Sequence, residues 1–300
     1  MNVLLCGELA SSEHAEWLQA LQAAMPEARW LDLAAARLDP AAVHVAVVAN
    51  PPPGSLQGLP ALRLIQSLWA GVDRLLADTT LPAGVPIARM VDPAMNAAMA
   101  ETALWAVLSL HRGFFAYARH QREGVWQPHA QQRADEVTVL VLGQGQMGRT
   151  SAERIAQQGY RLSTWRRDGT PLAPLLAQAQ IVVNLLPLTG DTRGLLDASF
   201  FAALSPKASV VNLARGAHVV DADLLAALDS GYLRHAVLDV FHTEPLAAGH
   251  RYWQHPQVTV LPHAAAGTDA RSAAAVAVAN LRALNDGRAV QNLVDRSRGY

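Results

Sequence analysis

The chain has 300 residues, 51% of them hydrophobic and 16% charged, so it can bury a large core and is no disordered segment. That length suggests two domains. With 24 basic side chains against 25 acidic ones, no net field draws it to nucleic acid or to an acidic membrane surface.

In chain order, Met1 to Gly7 lacks a basic start and meets Glu8 at once, which argues against a secretory signal. The first strand expected is Val3–Cys6. Cys6 is the lone cysteine, so an internal disulfide is excluded, no Cys/His spacing suggests zinc, and core filling is its expected role. A helix with Trp17, Leu18 and Leu21 on one face follows, then a strand at His44–Ala49 and a loop at Pro51-Pro52-Pro53-Gly54. Strands at Leu62–Leu68 and Pro86–Met90 precede a long helix, about Met95 to His120, carrying Leu104, Val107, Leu108 and Phe115.

A β-branched run from Val139 then enters Gly143-Gln144-Gly145-Gln146-Met147-Gly148, followed by a helix with Ala152, Ile155 and Ala156 on one face. In this fingerprint Gly143 makes the tight turn, Gly145 lets the backbone approach a pyrophosphate, and Gly148 lets helix pack on strand. Further strands are expected at Arg161–Trp165, Ile181–Leu186, Ser209–Ala214, His235–Phe241 and Val258–Leu261. The uncharged stretch from Pro171 to Gly190 holds three prolines with Gln178, Gln180 and Asn184, so a soluble helix–strand pair is expected rather than a membrane span. Asp221 is expected to cap a helix bearing Leu224, Leu225 and Leu228 that closes at Gly231, and Thr268 to open a last helix ending near Gly287. Strands alternating with helices imply parallel sheets covered by helices. Lys207 is the only lysine and reads as a turn residue, which excludes Schiff-base catalysis and a phosphate loop of the Gly-Lys-Ser/Thr type. The expected compartment is the cytoplasm, with no membrane or nucleic-acid partner.

Three polar residues sit at consecutive strand ends: Arg215 after Val210–Ala214, Glu244 after Leu238–Phe241, and His263 after Val260–Pro262. In an open α/β sheet the carboxyl ends of strands face the ligand crevice, so these three are expected to converge at the cofactor's reacting ring. About 20 residues past the glycines, where an acid would hold a ribose 2′-hydroxyl, stand Trp165, Arg166 and Arg167. A guanidinium pairs with a 2′-phosphate, so NADP(H) is expected, with NAD(H) a weaker alternative. Asp168, directly after the basic pair, is discounted as the ribose acid.

These segments, in their order and spacing, resemble the D-isomer-specific 2-hydroxyacid dehydrogenase family, and more closely its glyoxylate/hydroxypyruvate reductase A branch. The likeness also takes in Ser67 to Asp73, Asn184 to Thr189, Asn212 to Gly216, Leu238 to Leu246 and the tail Val294 to Tyr300. It implies an α/β fold of two doubly wound parallel-sheet domains. A Rossmann-type cofactor domain (98–267) is inserted into a flavodoxin-like substrate domain (1–97 plus 268–300).

The implied reaction is NADPH-dependent reduction of a small 2-oxoacid to a D-2-hydroxyacid. His263 donates the proton, Glu244 bonds its other ring nitrogen, and Arg215 grips the substrate's carboxylate and carbonyl oxygens. Gly143, Gly145, Gln146, Met147, Gly148, Trp165, Arg166, Arg167, Leu186, Pro187, Leu213, Ala214 and Asp239 are the implied cofactor contacts. The loop Trp69-Ala70-Gly71-Val72 is the implied carboxylate clamp. Relatives often carry a small residue where Trp69 stands, so its indole either narrows the pocket, stacks on a longer substrate or packs into the core. Arg89 with Asp92, and Arg296 with Arg298, read mainly as structural. A homodimer through the cofactor domain is implied, with Phe114, Phe115, Tyr117 and Trp126 available for the contact. Two alternatives stay open: a dinucleotide-sensing binding protein of the corepressor type, and a dehydrogenase acting on a larger D-hydroxyacid.

Overall fold

The computed structural model describes residues 1–300, and its strands form two sheets that are parallel throughout. One compact unit comprises Met1–Met95 with Thr268–Tyr300, the other Asn96–Gly267. In the first unit β1 (Asn2–Gly7), β2 (Arg29–Leu31), β3 (Val45–Ala49), β4 (Leu64–Ser67) and β5 (Ile87–Ala88) pair in the order β2-β1-β3-β4-β5. Helices α1 (Ser11–Ala24), α2 (Leu33–Leu38), α3 (Asp73–Leu76) and the last helix, Ala270–Asn285, complete it. All five residues of β3 are buried, as a central parallel strand covered on both faces requires. β2 went unexpected because three residues cannot show a period. Cys6 is buried in β1, and that burial pushes its thiol up to about 12, which makes it inert core.

The last helix is pinned by polar contacts that its alanine-rich sequence does not advertise. Asn280 donates to Gln66 Oε1 at 2.8 Å, and Ser272 donates to the buried Asp92 at 2.7 Å. Its cap is Asp269, which accepts from the Arg271 amide, rather than Thr268.

The chain enters the second unit within α4 (Pro93–Arg112). The single long helix expected here breaks at Gly113, whose φ of +74° ends α4, and α5 (Phe114–Glu123) starts anew. Next come β6 (Thr138–Leu142), α6 (Gln146–Ala156), β7 (Arg161–Trp165), α7 (Ala173–Leu176), β8 (Ile181–Asn184), α8 (Ala198–Ala202), β9 (Ser209–Asn212), α9 (Asp221–Asp229), β10 (His235–Leu238) and β11 (Val258–Val260). They order as β7-β6-β8-β9-β10-β11.

Alternation along these strands builds two cores. Leu140, Leu142, Val182, Val210 and Leu238 pack with Phe200, Phe201 and Leu224, while Val139, Val141, Val183, Val211 and Val237 pack with Ala103, Val107 and Ile155. Strand order reverses at β6, which sets the switch point at the carboxyl ends of β6 and β8. Asp221 is not the cap of α9: Val220 holds that place, and the Asp221 carboxylate instead accepts from the Tyr252 hydroxyl at 2.9 Å. No helix is long and apolar enough to cross a membrane.

His235 opens β10 with its ring stacked on Phe115, centroids 4.6 Å apart, and its Nε2 meets Thr259 Oγ1 at 2.9 Å. Burial first, then the charge of Arg234, brings its pKa down to about 4. A histidine depressed in the folded state adds stability above its unfolded value, about 6.5, and that stability is lost as pH falls towards 4. The loss expected is on the order of 3 kcal/mol. Urea unfolding between pH 7 and pH 4 should therefore show a clearly shallower acid loss in His235→Phe, and identical slopes would refute this account.

Candidate active site

At the β6–α6 turn two glycines are demanded by packing. A Cβ on Gly143, whose φ is +107°, would lie 2.6 Å from the Leu185 carbonyl oxygen, and one on Gly148 would lie 2.0 Å from that of Gly143. Gly145, the N-cap of α6, differs: nothing lies within 4 Å of its Cβ position, so its backbone faces open space at the helix N-terminus. Gln146 is exposed and Met147 packs partly on the core. This turn, with free room at its middle glycine and amides at a helix start, fits a pyrophosphate.

Past β7 the side chains diverge. Trp165 is buried in the core and its ring N–H donates to Thr170 O at 2.8 Å, so it shapes the turn from within. Arg166 and Arg167 are exposed, and each faces a carboxylate: Asp168 at 2.6 Å and Asp191 at 3.3 Å. The Thr170 hydroxyl and, behind it, Arg166 hold the Asp168 carboxyl down to about 2. Exposed pairs of this kind contribute little, so a dianionic ligand can displace them readily.

The ends of β8 and β9 are joined by a buried amide pair. Asn184 donates to Asn212 Oδ1 at 3.0 Å, and the same two side chains accept from the amides of Leu186 and Ala214. They thereby set the turns carrying Leu186 and Pro187 on one strand, and Leu213 and Ala214 on the next. Leu186, Leu213 and Ala214 are buried, and Pro187 is exposed. Arg215 is extended and half-buried, with its guanidinium donating to Ala214 O at 2.7 Å. Gly216 beside it is pressed against the exit of β10, where a Cβ would meet the Phe241 carbonyl carbon at 2.0 Å. Only glycine lets these two strand ends approach so closely.

Glu244 and His263 meet. Glu244 Oε2 lies 2.7 Å from His263 Nδ1, while its Oε1 accepts from the Phe241 amide at 2.9 Å. Both oxygens of one carboxylate are thus used, one for the loop and one for the ring. His263 adopts φ +53°, a left-handed conformation that costs a non-glycine residue roughly 1–2 kcal/mol.

Asp239, only 1% exposed, holds that conformation. Its main-chain oxygen accepts from the His263 amide at 2.8 Å, and its carboxylate accepts from the amides of Ala264 and Ala265 at 2.7 and 3.1 Å. Each of its carboxylate oxygens thus accepts one amide of this loop. The local signal for that role is a charged residue closing an otherwise apolar strand, three residues before the turn.

In the other unit the loop Trp69–Val72 follows β4. Its base is tied down: the Trp69 amide donates to Ser67 Oγ at 3.0 Å, and the Trp69 carbonyl accepts from Ser67 Oγ and from the Met90 amide. The half-buried Trp69 indole meets Trp17 edge-on, centroids 6.2 Å apart, so packing accounts for at least one of its faces. Ala70 and Gly71 are half-exposed and Val72 is buried. Arg296 donates to the carbonyls of Pro82 and Val85, and Arg298 pairs with Asp295 at 3.4 Å, as structural residues do. Burial lowers the Arg89 pKa, and its amide donates to Asn292 O at 3.0 Å.

Residues 104–265 match the family described as D-isomer specific 2-hydroxyacid dehydrogenase, NAD binding domain. The glyoxylate/hydroxypyruvate reductase A of Yersinia enterocolitica is 37% identical over 96% of this chain and 97% of its own length. That of Serratia proteamaculans is 37% identical over the whole of both chains. Among solved structures, a D-isomer specific 2-hydroxyacid dehydrogenase from Xanthobacter autotrophicus Py2 in complex with NADPH and MES superposes with a TM-score of 0.93, at 37% identity over 100% of this chain and 99% of that one. An NADPH-dependent glyoxylate/hydroxypyruvate reductase from Sinorhizobium meliloti, in complex with NADP and sulfate, gives 0.92 at 32% identity over 100% and 99%. A shared fold, whole-length identity and a histidine–glutamate pair at the strand ends lead to one conclusion: the chain belongs to the D-isomer-specific 2-hydroxyacid dehydrogenases, a family of nicotinamide-dependent oxidoreductases.

Proposed function

We propose that this enzyme reduces small 2-oxoacids, glyoxylate and hydroxypyruvate first among them, to D-2-hydroxyacids at the expense of NADPH. The observation that carries the reading is the 2.7 Å contact between Glu244 and His263, which leaves the far ring nitrogen, Nε2, for a substrate. The relatives' names and the dinucleotide complexes of its structural neighbours support it. When bound, the reduced nicotinamide supplies the hydride that reduces the keto carbon.

The chain's own residues do the rest. His263 holds a proton at Nε2 and releases it to the carbonyl oxygen as negative charge develops there. Glu244 orients the ring through Nδ1. Arg215 offers its guanidinium to the substrate's carboxylate and carbonyl oxygens. The Gly143–Gly148 turn and the α6 amides would hold the pyrophosphate, and Leu186, Pro187, Leu213 and Ala214 would border the nicotinamide. Arg166 and Arg167 would exchange their carboxylates for the 2′-phosphate. The backbone of Trp69–Val72 is assigned to the substrate carboxylate. We place the reaction in the cytoplasm, where reduced nicotinamide cofactors are available and where a single buried cysteine is at home.

Three measurements test the reading. Replacing Arg166 and Arg167 together by serine should raise KM for NADPH at least about tenfold, the scale of a charge-assisted contact, and leave NADH little changed. A native preference for NADH by kcat/KM would overturn the cofactor assignment. Loss of the proton donor in His263→Asn should lower kcat by about 10²–10⁴-fold. Near-full turnover in that variant refutes the role.

We also infer a homodimer through unit 2. Trp105, Phe114, Val125 and Trp126 are 41, 52, 44 and 99% exposed along one stretch of chain, whereas Phe115 is taken up by His235. Sedimentation velocity should give a particle of twice the chain's mass, reduced to one chain by Phe114→Ser with Trp126→Ser; a native monomer at micromolar concentration would rule this out.

A further inference from the structure

His218 closes the short 3₁₀ turn Gly216–His218 directly after Arg215, and its side chain is fully buried, 0% exposed. A histidine placed so deeply in a sheet-end turn must have its ring nitrogens matched to polar partners, because an unmatched buried donor costs about 1–3 kcal/mol. Nδ1 lies 3.1 Å from the carbonyl oxygen of Arg215, and Nε2 lies 3.3 Å from that of Pro187. A carbonyl oxygen can only accept, so both ring nitrogens are placed to donate. The neutral ring serves one carbonyl at a time and the imidazolium serves both.

The two carbonyls belong to different strand exits. Arg215 follows β9, and its oxygen also accepts from Asn212 Nδ2 at 3.0 Å and from the His218 amide at 3.2 Å. Pro187 follows β8, and its oxygen also accepts from Thr192 Oγ1 at 2.7 Å. The imidazole therefore spans from the peptide of the substrate arginine to the turn assigned to the nicotinamide side. Gly216, lying between Arg215 and His218, has no room to yield, since the Phe241 backbone occupies the space a Cβ would need. Neighbouring parts of the Arg215 peptide are thus fixed from both directions.

We propose that His218 is a positioning residue: it braces the main chain at Arg215 and Pro187 and so sets how the guanidinium meets the substrate. This rests on the reading of Arg215 as the substrate-gripping residue. Such a brace acts on binding and on approach, and it leaves the proton at His263 alone, because the Glu244–His263 contact lies outside this set of bonds.

The test uses the full chain with saturating NADPH and glyoxylate as the varied substrate. His218→Leu keeps an apolar filling and removes the ring's donor capacity; His218→Gln keeps donor capacity on a different frame. His218→Leu should raise KM about tenfold, the scale of one lost hydrogen bond, with a smaller change in kcat and an unaltered pH profile of kcat. His218→Gln should recover KM to within about threefold of the unmodified protein, again on the scale of a partly restored bond. A folded His218→Leu protein with unchanged KM overturns the proposal. So does a His218→Gln variant no better than His218→Leu, since the ring would then matter only as filling. Should His218→Leu fail to fold, His218→Met takes its place as the donor-free filling, and the same comparison with His218→Gln decides. If the unmodified chain reduces no 2-oxoacid at all, the reading of the site fails and this inference falls with it. If the unmodified chain is active and the variants match it, only the His218 inference fails.

Discussion

The Asp239 carboxylate is the contact on which the reacting geometry hangs. A buried carboxylate is tolerated only when hydrogen bonds replace its water, and here two consecutive amides, those of Ala264 and Ala265, supply them. Those bonds oblige the chain to turn sharply just after β11, and His263 absorbs the turn by going left-handed. Its ring then stands against Glu244. The strain is local and small, and it is offset by charge-assisted bonds formed one residue further on. One acid thus acts from behind the loop while the other, Glu244, acts from the front.

The same arrangement recurs along the sheet. The three consecutive strands β8, β9 and β10 each end in a polar side chain that bonds the turn leaving its own strand or a neighbour: Asn184, Asn212 and Asp239 in turn. Parallel register makes this possible, because Asn184 and Asn212 are direct partners across β8 and β9. Turns that would otherwise be loose are held from the rigid sheet beneath them. Loops supported this way keep their side chains oriented without help from a ligand, which is the kind of preorganisation that electrostatic catalysis requires.

Much of this was legible in the sequence and some was not, for physical reasons. Parallel strands buried on both faces write themselves as apolar runs, so Val45–Ala49 and Val139–Leu142 were plain. The glycine turn was legible because each glycine answers a separate steric demand. Arg215, Glu244 and His263 stood out because polar residues closing apolar strands are conspicuous. The break at Gly113 was hidden, since an isolated glycine in a helical pattern is often tolerated. Close approach at Gly216 could not be read either, because its neighbour, the Phe241 backbone, is distant in sequence. The bonds that orient the Asp239 side chain were not legible, because its partners, the amides of Ala264 and Ala265, lie 25 and 26 residues away in sequence.

The two arginine–aspartate pairs beyond β7 bear on selectivity. Each of these two guanidiniums already faces a carboxylate, Asp168 or Asp191. A ribose hydroxyl offers too little to dislodge either acid. If these arginines take a 2′-phosphate as proposed, the dianion would exchange with a monovalent carboxylate at each, and salt would weaken that exchange less than a simple attraction, because charge is traded rather than created. On the proposed reading of Arg166 and Arg167, Asp168 and Asp191 are resident anions that a doubly charged guest would replace, so the site would sort its guests by valence.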